Sequence, residues 1–106
     1  MFARSVSIHL KPNSSVAFTK QIENETLPTL RKQQGFQGEL TLLVPGGADA
    51  VAISFWDKKE NADAYARTGY ADVLKNLNKE IEGTPKVQTY EVATSTFQKI
   101  ATTVAA

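Results

Sequence analysis

The sequence predicts an α+β domain in which a four-stranded antiparallel sheet carries helices on one face. Three observations support this prediction. Two apolar runs, residues 35–44 and 50–57, flank turn-forming residues 45–49, which is the pattern of a β-hairpin. Residues 2–10 alternate between apolar and polar side chains, as a half-buried strand does. One helical segment follows this first strand, and another follows the hairpin.

The first strand and the helix after it are read from their periodicities. The strand has one apolar face, with Val6, Ile8 and Leu10, and one small or polar face, with Ala3, Ser5, Ser7 and His9. Residues 15–33 have helical composition, and their apolar stripe is Phe18, Ile22, Thr26 and Leu30. Pro28 lacks a backbone donor, so we expect it to kink or split this helix near Leu27.

The third strand, residues 50–57, has two unlike faces. One face is apolar throughout and consists of Val51, Ile53 and Phe55. The other combines Ala52 and Ser54 with the single large side chain of Trp56. A lone indole among small side chains leaves space for a ligand, and it offers a flat apolar wall with one N–H donor. Trp56 is therefore the best candidate for a binding or catalytic residue, the alternative being that it fills the core or an interface.

The second helical segment begins after Asp57, and we expect Gly69 to divide it. Its apolar stripe consists of Tyr70, Val73, Leu74, Leu77 and Ile81. Gly83 and Pro85 are typical of a helix stop. Residues 86–92 then read as a fourth strand, extending as far as Thr96.

The resulting order, βαββαβ, is that of the ferredoxin-like fold. We interpret residues 1–106 as a single domain, with residues 97–106 as a C-terminal arm. Both helical segments cover one face of the sheet, and we place Trp56, Leu43 and either Phe36 or Tyr90 near the other face. An exposed apolar surface of this kind predicts that a second copy covers it, which makes the protein a homodimer.

Composition excludes several classes of function. The formal net charge is +1, and the charges are interspersed, so no basic stripe indicates nucleic-acid binding. The chain has no cysteine, which excludes disulfides and thiolate metal sites. One histidine without cysteines is too little for a typical zinc or haem site, so we expect no metal. No signal peptide or bilayer-spanning run is visible, and we expect a soluble, cytoplasmic protein without membrane contact.

Five short segments carry a family resemblance. They are Phe2-Ala3-Arg4, Lys11-Pro12, Gln34-Gly35-Phe36-Gln37-Gly38, Ser54-Phe55-Trp56-Asp57 and Tyr90-Glu91-Val92. In this order they resemble the dimeric α+β barrel proteins of the antibiotic biosynthesis monooxygenase type. The resemblance implies that two four-stranded sheets face one another across a homodimer. It also implies that each subunit binds its ligand between sheet and helices.

The resemblance further implies an activity. Some members oxidise aromatic substrates with molecular oxygen and no cofactor, using a pocket Trp, where Trp56 stands here. An Asn found in some of these enzymes corresponds to Ala52. Haem-degrading relatives use a strand-one Asn and a helix His that this chain lacks, so haem degradation is not expected. The sequence favours a cofactor-independent monooxygenase acting on a small aromatic or quinol-like substrate; the alternative is a non-catalytic binder of a small hydrophobic ligand.

Further residues are candidates for the same pocket. Ser7 and His9 share one face of the first strand, where His9 could exchange protons near neutral pH or simply lie at the surface. Tyr65 and Tyr70 follow Trp56 on the second helical segment and can donate phenolic protons, although helix tyrosines commonly serve the core. Ser54 and Phe36 complete the predicted ligand pocket.

Overall fold

The computed structural model describes residues 1–97. The strands are β1 (Phe2–Leu10), β2 (Phe36–Leu43), β3 (Asp49–Trp56) and β4 (Ile81–Glu91). The helices are α1 (Ser15–Gln21), α2 (Leu27–Arg31), α3 (Lys59–Arg67) and α4 (Tyr70–Leu77), and a π-helical turn, Ile22–Thr26, joins α1 to α2. Apart from Phe97, the predicted C-terminal arm lies outside the described residues.

The four strands form one antiparallel sheet in the order β2-β3-β1-β4. This order, with the helices packed on one face, confirms the predicted α+β, ferredoxin-like βαββαβ arrangement. The hydrophobic core lies between that face and the helices, where Phe18 and Trp56 are fully buried. That the whole chain forms a single domain stays a prediction. Among the described helices, none has the length and apolar character needed to cross a bilayer.

The first helical region is divided where the sequence predicted. Its stripe is buried throughout, at Phe18, Ile22, Thr26 and Leu30. Positions four apart advance by about 40° around an ideal helix, so a straight α-helix would rotate this stripe off the core. In the π-helical turn the N–H of Leu27 bonds to the carbonyl of Ile22, five residues earlier, which winds more residues into one turn and offsets part of that rotation.

The start of β4 corrects the sequence prediction. Ile81 does not belong to the helix, because α4 ends at Leu77 and Ile81 pairs with Leu10 in the sheet. Gly83 and Pro85, which we read as a helix stop, lie inside the strand. β4 is an edge strand and its pairing with β1 shifts register there, so a Gly at φ 75° and a Pro without a donor are both tolerated.

Trp56, Phe36 and Leu43 lie on the helix side of the sheet, which corrects their predicted place near the bare face. Residues paired directly across antiparallel strands project from the same face. Trp56 pairs with Phe2 and with Phe36, and Phe2 is buried beneath the helices. Of the residues predicted near the bare face, Tyr90 projects there.

We call the sheet surface opposite the helices the outer face. Its large apolar side chains include Leu40, Leu42, Val51, Ile53, Phe55 and Tyr90. Leu42 and Tyr90 are 51% and 54% exposed. The polar residues of β1, including Ser7 and His9, share this face, because Ser7 pairs with Val51. The polar side of β1 therefore lies beside the apolar side of β3. This separates Ser7 and His9 from Trp56, although the sequence predicted them in the same pocket.

Candidate functional site

A cavity lies between the helix side of the sheet and the helices. Its apolar lining includes Val6, Ile8, Ile22, Leu30, Val73 and Leu77, and its polar or aromatic lining consists of Arg4, Thr26, Glu39, Ser54, Tyr65 and Tyr70. Arg4 lies on the apolar face of β1, together with Val6 and Ile8, because side chains two positions apart in a strand project from the same face. The cavity therefore combines an apolar body with a few polar groups, as small-molecule sites do.

The cavity is narrow. Its volume is about 40 Å³, within about 420 Å³ of empty space that is partly open to solvent. A cavity of that size holds only a few water molecules. A ring-sized ligand can therefore enter only if lining side chains move apart.

Trp56 is packed behind the cavity rather than lining it. Its indole Nε1–H donates to Ser54 Oγ at 2.9 Å, and the Ser54 hydroxyl donates to the Arg4 carbonyl oxygen at 3.5 Å. The indole stacks on Tyr65 with ring centroids 5.2 Å apart, and Phe36 meets it edge-on at 5.7 Å. Of the residues predicted to form a pocket, Ser54, Tyr65 and Tyr70 line the cavity, while Trp56 and Phe36 support them from the core.

Arg4 and two tyrosines form the polar end of the cavity. Arg4 is 5% exposed, and its guanidinium carbon lies 3.9 Å from the ring centre of Tyr70 and 5.6 Å from that of Tyr65. Both distances are typical of cation–π contacts, and such contacts partly offset the free-energy cost of burying the charge. Burial raises the pKa of Tyr65 to about 12, against the opposing effect of the Arg4 charge. Tyr65 is therefore a neutral phenol at physiological pH and can donate a hydrogen bond.

Glu39 is a half-buried carboxyl group on the cavity wall. Burial raises its pKa from the ordinary value, because the charged form loses water, while the hydrogen bond donated by the Thr41 hydroxyl at 2.7 Å opposes this shift. A carboxylate with a raised pKa is a stronger proton acceptor. Glu39 and Arg4 were not identified as site residues from the sequence. For Arg4 a signal was present, because its charged side chain falls on the same face of the first strand as Val6, Ile8 and Leu10.

Ser7 and His9 do not line this cavity, since they lie on the outer face. The His9 ring nitrogen Nδ1 is 2.9 Å from Asp49 Oδ1, with side chains 56% and 68% exposed. An ionised carboxylate only accepts, so Nδ1 carries the donated hydrogen. Across residues 1–97, no three acidic or histidine side chains group closely enough to hold a metal ion.

The hydrogen bond to Asp49 is the main cause that raises the pKa of His9 above 6.5; loss of water at the ring opposes it, and the weaker charge effects of Asp49 and Glu82 add to the increase. Because the folded-state pKa is raised, the pair stabilises the fold fully below pH 6.5, and this contribution disappears as pH rises through the folded value. We expect Asp49→Asn to return the His9 pKa towards its ordinary value, measured by NMR titration of the ring protons. Asp63→Asn, in the separate pair with Lys59, is the control. An unchanged His9 pKa in Asp49→Asn would contradict this assignment.

No protein-family model matches the sequence, and no curated protein matches it significantly. Solved structures do match its fold. A variant of SnoaB, a cofactor-independent oxygenase from Streptomyces nogalater, has a TM-score of 0.72 at 15% identity, covering 90% of this chain and 95% of that one. A monooxygenase from the gene ActVA-Orf6 of Streptomyces coelicolor, in complex with nanaomycin D, has a TM-score of 0.71 at 16% identity, covering 84% of each chain.

A third similar structure is a variant of MhuD with two manganese protoporphyrin IX molecules bound per active site. Its TM-score is 0.75 at 16% identity, covering 92% of this chain and 99% of that one. Other matching structures are described as antibiotic biosynthesis monooxygenases. These similarities show that the chain shares its α+β fold with the three proteins. The resemblance to antibiotic biosynthesis monooxygenases predicted from the sequence is thereby confirmed at the level of the fold.

Proposed function

We propose that this protein is a cofactor-independent monooxygenase that oxidises a small aromatic or quinol-like substrate in the cavity between sheet and helices. The observation that carries the proposal is the meeting of Glu39, Arg4 and Tyr65 on one apolar cavity. These groups are a proton acceptor, a buried cation and a phenol donor. Together they suit a reaction that begins by forming a substrate anion.

The reaction we propose converts a ring methylene and molecular oxygen into a ring ketone and water. Glu39 takes one proton from the methylene, and Arg4 stabilises the resulting delocalised anion. The anion passes one electron to oxygen, and the two radicals combine to form a peroxide anion, which takes back the proton held by Glu39 and becomes a hydroperoxide. Loss of the second methylene proton and cleavage of the O–O bond then release water. One oxygen atom stays in the product ketone, so atoms and electrons balance.

A second candidate function is non-catalytic binding of a small hydrophobic ligand. Two observations favour it: the N–H of Trp56 is engaged by Ser54, and the cavity is narrow. A catalytic role for Trp56 stays a prediction, since the indole is connected to the cavity through the lining residues Tyr65 and Ser54 and does not line it. Homodimer formation and a cytoplasmic location are likewise part of the proposal, as the resemblance implies the first and the composition favours the second.

The test is oxygen uptake by purified protein with anthrone-type and quinol substrates, followed by an oxygen electrode and by quinone absorbance. We expect turnover that Glu39→Gln lowers by roughly 100-fold or more, as loss of a general base does. Glu60→Gln, at an exposed position in α3, is the matched control and should keep full turnover. Absence of turnover in the unmodified protein would remove the enzymatic proposal, and a co-purifying, unaltered ligand would support the binder.

A further inference from the structure

Two buried polar side chains in the cavity lack a hydrogen-bonding partner among residues 1–97. The first is Arg4. Its guanidinium makes no side-chain hydrogen bond there, and the ion pairs within 4.0 Å are those of His9 with Asp49 and Lys59 with Asp63. A guanidinium has five N–H donors and stays cationic in proteins. Removing most of the water around such a group without supplying an anion is costly, and stacking on Tyr70 offsets only part of that cost.

The second is Thr26. Its hydroxyl oxygen is buried without a partner, and the residue is 5% exposed. Three other threonines, two in helices and one directly after a helix, each donate their hydroxyl to the carbonyl four residues earlier: Thr19 to Ser15, Thr29 to Glu25 and Thr68 to Ala64. For Thr26 that carbonyl belongs to Ile22, which accepts the N–H of Leu27 across the π-helical turn. Unlike these three, the Thr26 hydroxyl lies unbonded at the cavity wall.

The remaining charged and titratable groups of the cavity limit what it can accept. Glu39 shares the wall with Arg4, and Tyr65 and Tyr70 are phenols. A dianionic phosphate would meet one guanidinium and be opposed by Glu39. A single carboxylate fits better, because its two oxygens match the planar fork of an arginine.

From these observations we infer that the cavity binds a small, apolar monocarboxylic acid, whose carboxylate accepts hydrogen bonds from Arg4 and Thr26. The inference rests on the proposed function only in placing the ligand in the same cavity. The apolar lining receives the ring, and the two unbonded donors receive the acid group. For an oxidised substrate, this means a ring compound that carries a carboxylate besides the reacting carbon.

Benzoate and benzamide have nearly the same shape but differ in charge. Comparing their affinities for the full chain therefore measures the effect of the ligand's negative charge alone. The readouts are calorimetry and the fluorescence of Trp56, the single tryptophan, which stacks on the cavity residue Tyr65. We expect the unmodified protein to bind benzoate at least tenfold more tightly than benzamide.

Variants then assign the selectivity to its residues. We expect Arg4→Met to weaken benzoate binding roughly 10- to 100-fold while changing benzamide binding little, as loss of a charged hydrogen bond does. Thr26→Val, which keeps the shape and removes the hydroxyl, should weaken benzoate about threefold to tenfold. Glu39→Gln should tighten benzoate by removing a competing negative charge. Arg67→Met and Thr29→Val are matched controls, since Arg67 is exposed and the Thr29 hydroxyl is already bonded.

Arg4→Lys provides a second test if the methionine variant fails to fold, because it keeps the charge and loses the fork. It should bind benzoate less tightly than the unmodified protein and more tightly than benzamide. The inference would be overturned if the unmodified protein did not bind benzoate, or bound benzoate and benzamide equally well. It would also be overturned if Arg4→Lys and Thr26→Val kept the full preference for benzoate over benzamide. The oxygen-uptake assay is independent of this result, so turnover of uncharged quinols without carboxylate selectivity would leave the proposed function standing.

Discussion

Replacement of Trp56 by alanine is expected to lower the free energy of unfolding by about 3–5 kcal/mol. The indole is fully buried and contacts Phe36 and Tyr65, so truncation removes apolar contacts from both sides and leaves a cavity. It also removes the N–H that donates to Ser54, leaving a buried hydroxyl with one partner fewer. Against a typical total of about 5–15 kcal/mol, this is a large part of the stability.

Chemical denaturation followed by circular dichroism measures this loss, and thermal melting should show a decrease of roughly 15–30 °C for a domain of this size. Trp56→Phe keeps an aromatic ring in the stack and should fall between the alanine variant and the unmodified protein. Phe97→Ala is the control, because Phe97 is 65% exposed and its loss should change stability by at most about 0.5 kcal/mol. A loss below about 1 kcal/mol in Trp56→Ala would show that the indole is not part of the core.

The fold was accessible from the sequence because its signals are local. The hairpin at residues 36–56, the alternation in β1 and the helical stripe through Phe18 and Leu30 each depend on neighbours in the chain. The boundary of β4 was missed because Gly83 and Pro85 are ordinary helix-stop residues, and their tolerance in a strand depends on the edge position of β4. That position is a property of the whole sheet.

The candidate site was only partly accessible, because its composition depends on register between distant strands. Alternation divides β1 and β3 into two faces each, but it does not say which face of one accompanies which face of the other. The pairing of Arg4 with Ser54 decides this, and it puts the small side of β3 beside the apolar side of β1. Trp56 therefore lies in the core, and Ser7 and His9 lie on the opposite face of the sheet, whereas the sequence predicted all three in one pocket.

Sequence composition also cannot show that a polar residue lacks a partner. Thr26 occupies a position in the apolar stripe of its helix. A threonine in a helix commonly donates its hydroxyl to the carbonyl four residues earlier. The hydroxyl of Thr26 is nevertheless unbonded, within a π-helical turn in which the Ile22 carbonyl accepts the N–H of Leu27. Whether a hydroxyl finds a partner depends on the three-dimensional arrangement around it, which no side-chain pattern records.

Introducing a lysine at Leu42 is expected to convert a dimer into a monomer. The outer face presents a continuous apolar surface across β2 and β3, with Leu40 opposite Ile53 and Leu42 opposite Val51. Leu40 and Leu42 are 43% and 51% exposed in the single chain. If a second copy covers this surface, as the exposed apolar area suggests, Leu42→Lys would bury an unpaired ammonium group in the interface.

Sedimentation at micromolar concentration measures the result. The unmodified protein should sediment at twice the chain mass of 11.6 kDa, and Leu42→Lys at the single mass with unchanged circular dichroism. Val16→Lys is the matched control, because Val16 is an apolar residue of α1, 67% exposed and away from the outer face, so this variant should remain dimeric. A monomeric unmodified protein would contradict the dimer, whereas a dimeric Leu42→Lys would place the interface elsewhere than on the outer face.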